Sequence, residues 1–87
     1  MTKNAVLIDS RDNVVTMTQD VPSGARVCWS GGEIDALEPV MSGHKVAIAA
    51  IAPGEIVRKY GHRIGNAAGA IEPGAWVHTH NLARSQS

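Results

Sequence analysis

Three short segments of this chain share one pattern, in which a glycine turn stands between β-branched residues. They are D-V-P-S-G-A-R-V at 20–27, A-I-A-P-G-E-I-V at 50–57 and A-I-E-P-G-A-W-V at 70–77. Proline presets φ for a tight turn, and glycine accepts the positive φ that such turns often need. Each segment therefore predicts a strand, a turn and another strand. Because the glycines are unevenly spaced, the pattern favours related hairpin corners within one β-domain over a solenoid.

The rest of the chain also favours an all-β fold. It has 87 residues with nine Gly and four Pro, no Phe, one Tyr and two Trp. No segment has a sustained helical period of apolar residues, and turn signals recur at short intervals. A chain of this length forms one domain with a modest core, so burial against a partner would stabilise it. We therefore predict a single all-β domain with short hairpins.

The predicted strands alternate with turns along most of the chain. We expect strands over 5–8, 13–18, 26–29, 34–37, 45–51, 56–60, 63–67 and 76–80, with turns at 30–32 and 61–62. Residues 36–41 could contain at most a helical turn, because Pro39 and the nearby Gly43 limit its length. Residues 83–87 are expected to be a frayed tail, so the domain at 1–87 has a core of about 5–82.

Charge and cysteine content exclude several classes of function. Eight basic and eight acidic residues give a net charge of zero with neutral His, which argues against nucleic acid or an anionic membrane as a partner. Cys28 is the only cysteine, so no internal disulfide forms, and a reducing cytoplasm is expected. Its apolar V-C-W context predicts a buried structural thiol rather than a nucleophile. We find no signal-peptide or transmembrane pattern.

The H-x-H pair at His78 and His80 is the strongest candidate for chemistry. Residues two apart on a strand point to the same face, so both imidazoles and the Trp76 ring would project together. They could share a metal or hold an anionic substrate. The alternative is two polar side chains on a solvated face. A structural zinc would need four His or Cys ligands, which the sequence does not offer, whereas a metal shared with another protein remains open.

The other candidates lie near turns. Lys59 and Tyr60 could hold a carboxylate, or they could simply end a solvated hairpin. Arg58 and Arg63 would lie beside Lys59 and form a small basic cluster. The Asn81 amide could bond substrate hydroxyls or cap the strand end. Taken alone, His44 and His62 are turn or surface residues.

Several of these residues stand in a longer series. G-H-K-V-A at 43–47, A-P-G-E at 52–55, K-Y-G at 59–61, I-G at 64–65 and P-G-A-W-V-H-T-H-N at 73–81 follow one another in order. The series resembles the SAF domain of the altronate and galactarate dehydratase family. The resemblance covers about residues 5–82 and is most specific over 43–81.

This resemblance implies a β-clip fold, in which a β-structure folds over on itself, and a role in a metal-dependent lyase that acts on a polyhydroxy or sulfonated acid. The metal would be divalent, commonly Fe²⁺, and held mainly by a partner subunit. The resemblance implies catalytic roles for His78 and His80, which could also be metal ligands shared with the partner chain. It implies substrate-binding roles for His44, Lys59, Tyr60 and Asn81.

Elimination needs more groups than this chain can supply. A base must act at the α-carbon and an acid at the leaving group, while a divalent ion can stabilise the enediolate. We therefore expect the chain to be inactive alone and to complete the site of a large catalytic lyase subunit. Isolated, it could form a homo-oligomer through the surface that the partner covers.

Three functions stay open at this point. The first is the small subunit of a hydro-lyase of the altronate or galactarate dehydratase type. The second is a carbon–sulfur lyase that releases sulfite, like the alpha subunit of (R)-sulfolactate sulfo-lyase. The third is a non-catalytic SAF binding or structural module. The residues do not decide which acid is the substrate or whether water or sulfite leaves.

Overall fold

The chain folds into short antiparallel strands, in agreement with the all-β prediction. A computed structural model describes residues 3–78 and 80–83. The strands are β1 (Ala5–Val6), β2 (Val14–Met17), β3 (Arg26–Trp29), β4 (Gly32–Asp35), β5 (Lys45–Ala47), β6 (Ile56–Lys59), β7 (His62–Ala67), β8 (Trp76–Val77) and β9 (Leu82–Ala83). These residues form no helix, so the helical turn considered for 36–41 is absent, and none of them belongs to a helix that could cross a membrane.

The strands form three small sheets that fold over one another, as in a SAF-like β-clip. One sheet has the order β1-β2-β5-β8, another contains β3 and β4, and the last has the order β6-β7-β9. Every pairing is antiparallel. The β5–β8 pairing sets Lys45 opposite Val77 and Val46 opposite Trp76. This pairing brings the region before β5 next to the region after β8.

The glycine corner occurs four times in the described residues, once more than the sequence pattern predicts. The corner glycines have positive φ and are Gly24, Gly43, Gly54 and Gly74. In every corner, the residue after the glycine donates its backbone N–H to the carbonyl three positions earlier, as Ala75 does to Glu72. The additional corner at 40–44 reads V-M-S-G-H, and the lack of proline hides its relation to the others.

The corners divide much of the chain into two similar units, residues 21–47 and 51–77. The first unit is closed by the bridge Val21↔Val40 and the second by Ile51↔Ile71. Each unit contains one hairpin, β3–β4 or β6–β7, and each ends in a short strand, β5 or β8. Because β5 and β8 pair antiparallel, the two units meet along their equivalent ends.

Two clusters of buried aliphatic side chains stabilise the units. One includes Val15, Val27 and Val46, and the other includes Val14, Val57 and Val77. Neighbours on one strand thus enter different clusters, because successive side chains point to opposite faces. Cys28 is buried, as its apolar context predicts.

Some predicted boundaries are wrong by one or more residues. Gly32 belongs to a strand, pairing with Trp29, so the first hairpin turns at residues 30–31. The second hairpin turns at residues 60–61, because His62 pairs with Lys59. The strand predicted to end at His80 ends at Val77 instead. A further short strand, β9, includes Ala83, the first residue of the predicted frayed tail. The rest of the predicted tail, 84–87, lies outside the described residues.

Candidate functional site

Three of the four histidines gather around one tryptophan. The Trp76 ring stacks on His78, with centroids 5.1 Å apart and an interplanar angle of 10°. His80 lies against the same indole at 4.9 Å, and His44 lies 5.5 Å from it. The His44 and His78 rings are 5.1 Å apart. We call His44, Trp76, His78 and His80 the histidine cluster.

The β5–β8 pairing explains how distant residues form this cluster. Trp76 lies opposite Val46, and both contribute to the same apolar cluster. His44 stands two residues before Val46, so the corner at 40–44 delivers its imidazole to the same side. The expectation that Trp76 and both H-x-H imidazoles project together is confirmed, although β8 ends before His78.

Trp76 is held by hydrogen bonds on its backbone and its ring. Its backbone N–H donates to Oε2 of Glu38 at 3.1 Å, and its indole Nε1–H donates to Nδ1 of His44 at 3.1 Å. Because the neighbouring Val77 is fully buried, the strand itself is anchored in the core. The indole therefore provides a fixed surface for the imidazoles.

Asn81 holds the loop that carries His78 and His80. Its Oδ1 accepts the His78 backbone N–H at 2.9 Å, and its Nδ2 donates to the Trp76 carbonyl at 2.9 Å. The Asn81 backbone N–H also donates to the His78 carbonyl. The structure thus places this amide in the cap that sequence spacing allowed. Thr79, within the same loop, lies outside the described residues.

The environment of His78 favours its neutral form. Burial lowers the pKa of His78 below its ordinary value, and the positive charges of His44, Lys45 and His80 lower it further. Loss of contact with water and nearby like charges both penalise an imidazolium. His78 is therefore suited to accept a proton near neutral pH.

Lys45 joins the cluster to the second hairpin electrostatically. Burial lowers the pKa of Lys45, and the charge of Lys59 adds to the effect. Lys45 in turn lowers the pKa of His78. These positive groups, together with Arg58 and Arg63 opposite each other in the hairpin, favour an anionic ligand on this part of the surface.

Lys59 and Tyr60 form a separate pair at the hairpin tip. The Lys59 Nζ lies 5.0 Å from the Tyr60 ring centroid, in a cation–π contact. Tyr60 adopts the left-handed conformation with φ of 58°, which is unusual for a bulky residue. Ring contacts in the described part of the chain link the three histidines to Trp76 but do not include Tyr60.

A buried carboxylate holds this tip in place. Asp12 accepts the backbone N–H groups of Tyr60 at 2.9 Å and Gly61 at 2.7 Å. The neighbouring Asn13 side chain bonds the backbone of Ile56 and Arg58. The segment before β2 thus fixes the hairpin that carries Lys59.

The histidine cluster is an open surface rather than a complete site. The described residues enclose no pocket, and no three of their His, Cys, Asp or Glu side chains are placed to share a metal ion. His62, which received no functional role, lies in β7 and is exposed. A metal bound by this chain alone does not fit these residues.

Sequence reasoning missed three residues that shape the site. They are Glu38, Lys45 and Asp12, which act respectively on the Trp76 backbone, the His78 pKa and the hairpin tip. Lys45 begins β5 directly after His44, and its place next to a candidate histidine was a signal in the sequence. Glu38 and Asp12 act across the fold, at positions that no local spacing connects.

Comparison with known proteins gives a consistent set of relatives. Residues 3–85 match the family model described as the altronate/galactarate dehydratase SAF domain. The altronate dehydratase of Bacillus subtilis is 33% identical over 85 residues, which cover 98% of this chain and 17% of that protein. The altronate dehydratase of Escherichia coli is 37% identical over 82 residues, covering 94% and 17% respectively.

A shorter relative is a separate subunit. The (2R)-sulfolactate sulfo-lyase subunit alpha of Paracoccus pantotrophus is 51% identical over 39 residues, which cover 45% of this chain and 58% of that subunit. The present chain therefore spans a small part of the dehydratases and more than half of the subunit alpha.

Proposed function

The chain belongs to the altronate/galactarate dehydratase SAF domain family, and from this premise we propose that it is the small subunit of a lyase. In this role it completes the active site of a large catalytic subunit that removes water from a sugar acid. The observation that carries the proposal is the histidine cluster. It joins three imidazoles and a tryptophan on an open surface that encloses no pocket within the described residues.

The proposed reaction assigns distinct tasks to these side chains. Elimination removes a proton α to the carboxylate and protonates the departing hydroxyl, so the reaction needs a base and an acid. Burial and neighbouring positive charges lower the pKa of His78, which keeps its imidazole unprotonated near neutral pH and therefore available as the base. His80, on the same indole, lies where it could serve the other transfer. Lys45 and Lys59 favour the approach of a carboxylate.

Three features support a large partner. The relatives named altronate dehydratase are much longer than this chain, which covers 17% of each. Met41 and Leu37 are 64% and 54% exposed although they are large and apolar. Both adjoin the site: the Met41 carbonyl accepts the His44 backbone N–H, and Leu37 donates to Gly74 beside Trp76. Apolar side chains in such positions are suited to an interface.

The proposed metal belongs to the partner. A divalent ion, expected to be Fe²⁺, would supply Lewis-acid stabilisation of the enediolate when bound. The described residues contain no complete ligand set, so we assign the ion to the large subunit. We place the complex in the cytoplasm, because Cys28 is the only cysteine in the sequence and no internal disulfide can form.

Release of sulfite is the second candidate reaction. It is favoured by the 51% identity over 39 residues to a sulfo-lyase subunit alpha, which is itself a small separate subunit. The two reactions differ in the leaving group, which this chain does not define. A non-catalytic SAF module is the third candidate, in which the histidine cluster would only bind or stabilise.

The test is to purify the chain with the large lyase subunit that accompanies it in its native cell. Elimination is then measured with altronate, galactarate and sulfolactate as substrates. Turnover of a sugar acid by the complex, and none by the isolated chain, is expected. A complex that releases only sulfite would select the second candidate.

Variants then test the cluster within the intact complex. His78→Ala and His80→Ala should each lower turnover by roughly a hundredfold or more, the range for loss of a general acid or base. His62→Ala, an exposed histidine on β7, is the matched control and should leave turnover unchanged. Normal turnover by both cluster variants in an assembled complex would contradict the catalytic roles and favour the non-catalytic module.

A further inference from the structure

The hydrogen bond between Trp76 and His44 determines which nitrogen of His44 carries its proton. The indole Nε1 donates to Nδ1 of His44 at 3.1 Å. An indole N–H is a donor only, so the nitrogen that faces it must offer a lone pair and carry no hydrogen. A neutral imidazole has one N–H and one acceptor nitrogen. The proton of His44 therefore resides on Nε2.

This arrangement leaves His44 with one polar group to offer a ligand, and that group is a donor. Its Nδ1 lone pair is already occupied by Trp76, and its Nε2 carries hydrogen rather than a lone pair. Neither nitrogen is then free to accept a proton or to coordinate a metal ion, which needs an unprotonated nitrogen.

The surrounding structure keeps the His44 ring in this orientation. The His44 backbone N–H donates to the Met41 carbonyl, and its carbonyl accepts the Met17 N–H. The imidazole contacts the rings of Trp76 and His78. Trp76 is itself held by Glu38 through its backbone. Donor and acceptor are thus fixed by elements on both sides of the β5–β8 pairing.

We propose that Trp76 is a positioning residue that locks His44 in the Nε2–H tautomer, in which it is a hydrogen-bond donor to an oxygen atom of the acidic ligand. The ligand chemistry is that of a carboxylate, sulfonate or hydroxyl oxygen, all of which accept such a bond. The part that concerns the ligand rests on the proposed function, whereas the state of His44 does not. His44 is a donor in this scheme and neither the base nor a metal ligand.

Nuclear magnetic resonance of the ¹⁵N-labelled full chain tests the state of His44 without any partner or substrate. At a pH where the histidines are neutral, His44 should show only the Nε2–H form, with a scalar coupling between Trp76 Nε1 and His44 Nδ1. Trp76→Phe keeps an aromatic ring but removes the donor, so the coupling should vanish and the Nδ1 resonance should move. Trp29→Phe, which changes the other tryptophan, should alter neither signal. A protonated His44 Nδ1 in the unmodified chain would overturn the proposal.

The active complex tests the role of His44 through two substitutions. His44→Gln places an amide N–H₂ near the position of Nε2, whereas His44→Phe keeps only an aromatic ring. We expect turnover of the acid within about tenfold of normal for Gln and reduced roughly a hundredfold or more for Phe, as for loss of one oriented donor. Equal losses for Gln and Phe would overturn the donor role, because the amide of Gln retains an N–H donor but has no basic nitrogen.

The magnetic resonance experiment and the turnover assay test this inference and the proposed function separately. If the unmodified complex eliminates neither water nor sulfite, the proposed function fails, yet the magnetic resonance result still decides the tautomer. If the complex is active and the Trp76–His44 coupling is absent, the inference fails while the function stands. Turnover by the Trp76→Phe complex is a further readout. It should fall because substrate binding is weaker, and excess metal should not restore it.

Discussion

The hairpins of the two similar units differ in how their charged side chains are paired. In the first hairpin, Arg26 forms ion pairs with Glu33 and with Asp35, the latter at 2.8 Å. The second hairpin carries Arg58, Lys59 and Arg63, and the carboxylate that holds its tip comes from Asp12 outside the unit. The first hairpin thus balances much of its own charge, whereas the second leaves basic groups of which Lys59 acts electrostatically on Lys45.

The comparison also shows where the site is built. The last corner of the first unit leads through His44 into Lys45 at the start of β5, and the equivalent corner of the second unit leads into Trp76. Antiparallel pairing of β5 with β8 brings these equivalent ends together, so neither unit contains the cluster alone. The two units share one backbone plan, and the site lies where β5 and β8 join them. Different side chains at these equivalent ends form the site, while the buried clusters of both units are aliphatic.

The largest difference between the units should follow substitution of equivalent corner glycines. A Cβ at Gly74 would overlap the Asp35 carbonyl oxygen, whereas one at Gly43 would meet nothing within 4 Å. Both have positive φ, which costs a non-glycine residue about 1–2 kcal/mol. We expect Gly43→Ala to lose about that much unfolding free energy and Gly74→Ala to lose at least about 3 kcal/mol, since the backbone must also shift. Urea denaturation gives both values, and equal losses would contradict the tight contact between the units.

The second comparison concerns the carboxylates that serve the two hairpins. Asp12 is buried and accepts the Tyr60 and Gly61 backbone N–H groups, so Asp12→Ala should cost about 3 kcal/mol of unfolding free energy. Glu33 is exposed, and its ion pair with Arg26 should contribute less than about 1 kcal/mol. Glu33→Ala is therefore the matched control in denaturant titrations. If Asp12→Ala loses no more unfolding free energy than Glu33→Ala, then Asp12 does not anchor the β6–β7 hairpin more strongly than Glu33 stabilises the β3–β4 hairpin.

Two of the asparagine side chains that bond to backbone carbonyls, Asn81 and Asn66, provide a third comparison. Asn81→Ala removes bonds to both His78 and Trp76, and we expect a loss of about 2 kcal/mol together with altered His78 and His80 resonances. Asn66→Ala removes an exposed bond to the Gly54 carbonyl, and about 0.5 kcal/mol should be lost. Thermal unfolding and histidine chemical shifts measure the two effects. Unchanged histidine shifts in Asn81→Ala would favour a direct substrate role for the amide over support of the loop.

The smallest effect should appear in the pH dependence of His78. Its folded-state pKa lies below the ordinary value of 6.5. The unfolded chain thus binds this proton more tightly, so the stabilising contribution is complete above pH 6.5 and is lost as the pH falls through the folded pKa. Lys45→Gln removes one cause of the shift, so the pKa of His78 should rise and the acid sensitivity should shrink. Lys3→Gln, the same change of charge at a group that does not contribute to the shift, is the control in a histidine titration. If the pKa of His78 is unchanged in Lys45→Gln, Lys45 does not contribute to lowering it.

The sequence predicts those parts of the site that depend on interactions between residues close together in the chain. Strand alternation predicts that Trp76, His78 and His80 project together, and their ring contacts confirm the grouping, although β8 ends at Val77 and a loop rather than a strand carries both histidines. His44 joins them only through strand pairing, and the Asp12 and Glu38 contacts cross the fold. The catalytic and substrate-binding roles of these residues stay predictions.

The sequence by itself determined the all-β class, the hairpins and three of the four glycine corners, because turn geometry and strand periodicity act between residues a few positions apart. It also carried the family resemblance, through the run from Trp76 to Asn81 and the motifs before it. The tertiary structure alone decided that the two units are joined at β5 and β8, that His44 meets Trp76, and that Asn81 is committed to the loop. These contacts depend on the register of distant strands, which local preferences do not specify.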